Sequence, residues 1–216
     1  MGNDRNDVPF FTVHFAQLFW PVPFFLNPPA LVVLMVLTHV TLTGNRVALA
    51  LYAIHLKATP FEVGLLMSLI AVIPMFLSVH AGRWTDRAGV FLPMLISLCL
   101  MITGAIFPAL RSSLGALYCA SILLGSGFML ANVAINNAIG HASTPETRTS
   151  AFSLLALGFS LSTVTGPMIA GFIIDFQGFT AAFLTLAAFS SVALIALFVL
   201  HKARSPRLSV THRPPI

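Results

Sequence analysis

Arg46 lies inside a long apolar stretch, where a charge at the centre of a membrane helix costs about 2.5–3.5 kcal/mol on insertion scales unless it is paired or meets water. His39 and Thr43 fall on the same stripe at helical spacing, which gives this stretch one polar face. On a later apolar stretch Asn132 and Asn136 stand four residues apart, again on one face. An arginine and an amide suit an anionic ligand: the guanidinium attracts the anion and Asn132 orients it by hydrogen bonding. The carboxylates Glu62, Asp86, Glu146 and Asp175 all stand at loops or segment ends, so none is placed to neutralise Arg46. The competing reading is structural, with helix carbonyls or a snorkelled position satisfying the guanidinium. For Asn136 and Asn137, near a segment end, helix capping is the simpler expectation.

A second group is Gly82-Arg83-Trp84-Thr85-Asp86-Arg87-Ala88-Gly89. Glycines at both ends suit a sharp turn, Asp86 is expected to cap the next helix, and Arg83 and Arg87 fix the turn on one side of a bilayer. In the fifth apolar stretch Gly158, Ser162, Gly166 and Ala170 recur every four residues, followed by Gly171. This small-residue face admits a close neighbour, and Pro167 is expected to bend it.

These residues are carried by a chain of 216 residues, 57% hydrophobic and 8% charged, with a mean hydropathy of +0.94. Soluble domains carry about 25% charged residues, so the composition is that of an integral membrane protein. Cys99 and Cys119 lie in apolar runs without metal-ligand or disulfide-framework spacing. The net charge of +5 gathers at segment ends and loops, where topology accounts for it, and no nucleic-acid partner is implied. No cofactor or metal site is expected. Enzyme motifs such as G-x-S-x-G, a Walker loop or H-E-x-x-H are absent from the sequence, which argues against an enzyme.

Residues 1–29 are broken by prolines and read as an interfacial or loosely ordered arm. Six spans follow, each about 20 residues or more: Ala30–Leu56, Glu62–His80, Val90–Leu110, Leu114–Ala138, Ser150–Ile174 and Phe179–Leu200. Ser143-Thr144-Pro145-Glu146 predicts a helix start within the loop before the fifth span, with Ser143 as cap. With the N-terminus inside, Arg5, Arg83, Arg87, Arg148, Lys202, Arg204, Arg207 and Arg213 are cytoplasmic, leaving Lys57 and Arg111 outside. Both termini are then cytoplasmic. Residues 202–216 form a basic tail.

Ala81-Gly82-x-x-x-Asp86-x-x-Gly89-x-x-x-x-x-Leu95 recurs 89 residues later as Ala170-Gly171-x-x-x-Asp175-x-x-Gly178-x-x-x-x-x-Leu184. The second copy replaces Arg83 and Arg87 by Phe172 and Phe176. Two three-helix units of opposite topology are implied, the outward-facing copy having lost its arginines.

The G-x-x-x-D-R-x-G turn after a second span resembles the loop signature of the major facilitator superfamily of transporters. Gly166-Pro167-x-x-Ala170-Gly171 resembles the fifth-helix Gly-Pro motif found in many of its proton-coupled antiporters, and Gly125-Ser126-Gly127 resembles its fourth-helix pattern. Two departures stand out: Ser121 occupies a position that is often arginine, and Val90 and Phe91 follow the turn in place of basic residues. The resemblance covers 31–204 and implies an all-α, six-helix half of a twelve-helix transporter. It also implies a central cavity lined by the first and fourth helices, with Arg46, His39, Thr43 and Asn132 as substrate-facing residues. Gly82, Arg83, Asp86, Arg87 and Gly89 would form the gating loop. The expected partners are the lipid bilayer, a small solute with an anionic group as one option, and a second six-helix half or second copy. The expected location is the plasma membrane, the inner membrane in a bacterium. A non-transporting membrane module and a membrane scaffold or sensor remain the alternatives.

Overall fold

The structure is a computed structural model that describes residues 28–202. The arm and basic tail therefore lie outside the described residues, apart from their innermost positions. Six helices follow in order: α1 Pro28–His55, α2 Pro60–Ala88, α3 Phe91–Leu110, α4 Leu114–Ala142, α5 Pro145–Gln177 and α6 Phe179–Lys202. All six are long and apolar enough to cross a bilayer.

Three helices run further than the sequence pattern predicts. The Gly82–Gly89 stretch is not a turn: α2 continues through it to Ala88, and only Gly89 and Val90 make the bend. A polar end does not terminate a helix, and one interior glycine costs only about 1 kcal/mol. The same reason carries α4 past Asn136 and Asn137 to Ala142, so neither asparagine is a cap. The helix start expected within the loop is the first turn of α5 itself, capped by Thr144 rather than Ser143, with the Thr144 backbone N–H donating to Thr147 Oγ1 at 3.0 Å. At the start of α2, Thr59 and Glu62 form a capping box: Glu62 Oε2 accepts from the Thr59 backbone N–H at 2.7 Å, and the Thr59 hydroxyl accepts from Glu62 N–H at 3.4 Å.

The helices form two layers. In front they stand in the order α2, α4, α1, α5, since α4 packs on both α2 and α1 and α1 packs on α5, while α2 and α5 do not touch. Behind them α3 packs on α4, α6 packs on α1, and α3 and α6 pack on each other. The pattern is close to two-fold: exchanging α1–α3 with α4–α6 turns every contact except the slight one between α1 and α3 into another that is present. Shifted by 89 residues, Ala88 at the end of α2 falls on Gln177 at the end of α5, and Gly89 falls on Gly178. Both glycines have positive φ, 71° and 85°. The fold is thus two inverted three-helix repeats.

Small residues let the front helices approach. A methyl group on Gly125 of α4 would sit 2.8 Å from the Ile70 carbonyl carbon of α2. In the other half the roles reverse, and a methyl group on Gly158 of α5 would sit 2.7 Å from Val36 Cγ2 of α1. Polar side chains close the same seams. Thr41 donates to the Leu186 carbonyl at 3.1 Å and accepts from Ser190 Oγ at 2.9 Å, tying α1 to α6. Ser97 of α3 donates to the Gly127 carbonyl of α4 at 2.8 Å. On the exposed side of α5, Ser160 and Thr163 bond back to Ala156 and Phe159 carbonyls of their own helix, which satisfies these hydroxyls within the helix.

Candidate functional site

The open side of the front layer is the side of α1 turned away from α6. Thr41 marks the α6 side by its bonds to Leu186 and Ser190. At 100° per residue, Arg46 and His39 stand about 140° and 160° round α1 from it. Arg46 is exposed there. Among the described residues the guanidinium makes no hydrogen bond or ion pair, and Glu62, Asp86, Glu146 and Asp175 all lie in the end turns of their helices. Asn45, the adjacent residue, stands about 100° round the helix from Arg46 and is fully buried, its amide donating to the Thr41 carbonyl at 2.8 Å while its Oδ1 finds no partner.

His39 is the junction of three helices. Its ring centroid is 5.2 Å from that of Phe128 on α4 and 4.7 Å from that of Phe159 on α5, and the two phenylalanines meet each other at 6.4 Å with planes 69° apart. His39 Nδ1 is enclosed and has no hydrogen-bond partner. Neither phenylalanine stood out in the sequence, because an aromatic residue in an apolar span reads as core.

Thr43 does not join this face. Its hydroxyl donates to the Ser162 carbonyl at 3.0 Å, and Ser162 Oγ reaches the Val36 carbonyl at 3.4 Å in return, so Thr43 is buried in the α1–α5 seam. A 40° advance per four residues carried it from the open side into the contact. Asn132 is half-buried and already engaged: Asn136 Nδ2 donates to its Oδ1 at 2.6 Å and its carbonyl at 2.8 Å.

Of the small residues of α5, Gly158, Ser162, Gly166 and Ala170 are buried against the bundle. A methyl group on Gly166 would sit 2.9 Å from the Gly44 nitrogen and 3.0 Å from the Val40 carbonyl oxygen. Gly171 is different: a Cβ there would meet nothing within 4 Å. One residue past Ala170, it is about 100° off the packed stripe, so its smallness serves no contact. Pro167 is half-buried, and the helix runs on through it for ten residues to Gln177.

At the end of the bundle carrying Arg83, Arg87, Arg148 and Lys202, Asp86 does not cap α3, whose start at Val90 has no side-chain cap. It accepts instead from Asn137 Nδ2 of α4 at 2.6 Å. Gly82 is helical with open space around it, and Arg83 and Arg87 are exposed. On the next connection Arg148 Nη2 donates to the Gly140 carbonyl at 2.9 Å, tying the start of α5 to the end of α4.

The sequence profile of the Major Facilitator Superfamily matches residues 31–215, most of the chain and all but the first turn of the six-helix bundle. The chain belongs to this superfamily. Among proteins of known name it is similar to the synaptic vesicular amine transporter of Mus musculus, 31% identical over 145 residues, covering 66% of this chain and 28% of that protein. It is also similar to the class E tetracycline resistance protein of Escherichia coli, 29% identical over 143 residues, 66% of this chain and 35% of that one. A third relative is multidrug resistance protein 1 of Bacillus subtilis, 26% identical over 144 residues, 64% and 36% of the two chains. The chain thus matches about a third of each relative's length. It is a multi-pass membrane protein of the superfamily, in contact with the bilayer through six helices.

Proposed function

We propose that this chain supplies the N-terminal six-helix half of a secondary transporter for a small organic solute, and that Arg46 recognises an anionic group on that solute. Arg46 carries this reading: it is exposed on the open side of the front layer and has no hydrogen-bond or ion-pair partner among the described residues. A guanidinium at membrane depth needs water or a counter-charge, and a transport pathway provides water and, when loaded, an anion. The names of the relatives, which include amine, tetracycline and multidrug proteins, support a small organic solute as cargo. An amine would arrive as a cation and would find no carboxylate among the described residues at the depth of Arg46, which favours an acid. His39 lies two turns along the same face and Asn132 serves from α4, whereas Thr43 holds α1 to α5.

On this reading residues 30–201 are the half bundle, 1–29 an interfacial arm and 202–216 the start of a connection to a second half. That half, or a second copy of this chain, closes the pathway against the exposed sides of α2 and α5. The basic end, with Gly82, Arg83, Asp86, Arg87 and Gly89, is cytoplasmic and acts in switching, with both termini on that side of the plasma membrane. No catalytic step is assigned to it. The test is Arg46→Cys with Cys99 and Cys119 replaced by serine. The new thiol should react with a membrane-impermeant reagent, and 3-phenylpropionate should slow the reaction. Inertness to the reagent in the chain alone and in any assembled complex would place Arg46 in a packed role and end the proposal.

A further inference from the structure

We infer that the ring cluster His39–Phe128–Phe159 is an aromatic subsite beside Arg46, so that the ligand is an aryl acid carrying a ring and an anionic group on one short scaffold. The inference rests on the reading of Arg46 as an anion site and adds to it the rest of the ligand. His39 and Arg46 are seven residues apart on one side of α1, a rise of about 10 Å. A long helical side chain leans toward the N-terminal end of its helix, which brings the guanidinium back toward His39 and shortens the distance that the ligand must bridge.

Three different helices contribute the rings, and His39 touches both phenylalanines. Phe128 and Phe159 are half-buried, so each keeps part of its surface exposed. Their centroid separation of 6.4 Å at 69° is a filled edge-to-face contact, too close for a third ring to slide between them as a parallel sandwich. The cluster is therefore a platform on which a ligand ring stacks from the open side.

The test uses the full chain in lipid nanodiscs and two probes of similar shape, 3-phenylpropionate and 3-cyclohexylpropionate, with affinity read by competition against a radiolabelled sample of the first. The phenyl acid should bind about three- to tenfold tighter than its saturated analogue, the range expected of one added aromatic contact. Phe159→Leu and Phe128→Leu should level the two, whereas Phe159→Trp, which keeps a ring, should preserve the preference and so distinguishes lost stacking from a damaged fold. Arg46→Gln should weaken both acids by about tenfold or more while leaving their ratio. Equal affinities for the two acids, both dependent on Arg46, would overturn the aromatic subsite and leave the anion reading standing. Affinity for the acids that survives Arg46→Gln would overturn the anion reading and the paired site with it, and failure of both acids to bind would overturn the subsite as stated.

Discussion

Asn137 Nδ2 lies 2.6 Å from Asp86 Oδ1, a hydrogen bond between the last turn of α2 and the end of α4, 51 residues apart in the chain. The repeat-related pair is Asp175 and Ala48, since each lies 89 residues from its counterpart. Ala48 has no group to donate. The repeat therefore does not reproduce this clamp at the other end of the bundle.

Removing either partner should loosen α2 from α4 at that end. Asp86→Ala and Asn137→Ala should each lower the thermal stability of the purified protein, and the double variant should lose less than their sum, with a coupling of about 0.5–3 kcal/mol. Asp86→Asn keeps an acceptor oxygen and should fall between wild type and Asp86→Ala. If Asp86 governs switching as proposed, Asp86→Asn should also slow solute flux while leaving equilibrium binding nearly unchanged. Strictly additive stabilities would show that the bond carries no coupling in the membrane protein.

The six helices and their repeat were legible because each rests on a redundant signal: twenty or so apolar residues for a span, and a spaced set of small and acidic residues for the repeat. Side-chain directions were less legible. Thr43 and Arg46 share a helical stripe in sequence, yet a 60° difference puts the first into the α1–α5 seam and the second on the open face. Asp86 was placed as a local cap because sequence shows only what is near in the chain, whereas its partner lies on another helix. Phe128 and Phe159 carry no distinguishing pattern at all. What singles them out is convergence on His39, which is a property of packing.

Two glycines of α5, five residues apart, should respond in opposite ways to the same substitution. Gly166→Ala pushes a methyl group into Thr43, Gly44 and Val40 of α1, and overpacking of this kind costs about 1–3 kcal/mol. Gly171→Ala meets nothing and gains helix propensity, about 0.8–1.0 kcal/mol in its favour. Thermal melts in detergent should therefore shift down for the first and stay level or rise for the second. Equal destabilisation by both would contradict the close α1–α5 approach.

The loop glycines separate in the same manner. Gly82 is helical and surrounded by open space, so Gly82→Ala should be tolerated structurally. Gly89, with φ 71° and ψ −172°, occupies a backbone region essentially reserved for glycine, and Gly178, at 85° and 176°, occupies the same one. Alanine at either should cost about 1–3 kcal/mol although there is room for its methyl group. A melting temperature unchanged by Gly89→Ala would mean that the bend between α2 and α3 has another conformation available.

The orientation of the bundle makes the last prediction. Among the described residues Arg83, Arg87, Arg148 and Lys202 lie at one end of the helices, Lys57 and Arg111 at the other, and Arg46 between them. Basic residues in short connections are retained on the cytoplasmic side, and the repeat sharpens the asymmetry, because Phe172 and Phe176 stand on α5 where Arg83 and Arg87 stand on α2. Reporter fusions after Leu56, Arg111 and Gly178 should therefore signal from outside, and fusions after Gly89, Ser143 and Arg207 from inside. Replacing Arg83 and Arg87 together by the phenylalanines of the other repeat should raise the fraction of chains with the opposite orientation, since only Arg148 and Lys202 then hold the described part of that end inside. An outside signal from the Gly89 fusion of the unaltered chain would invert the assignment and place the Asp86–Asn137 clamp on the far side of the membrane.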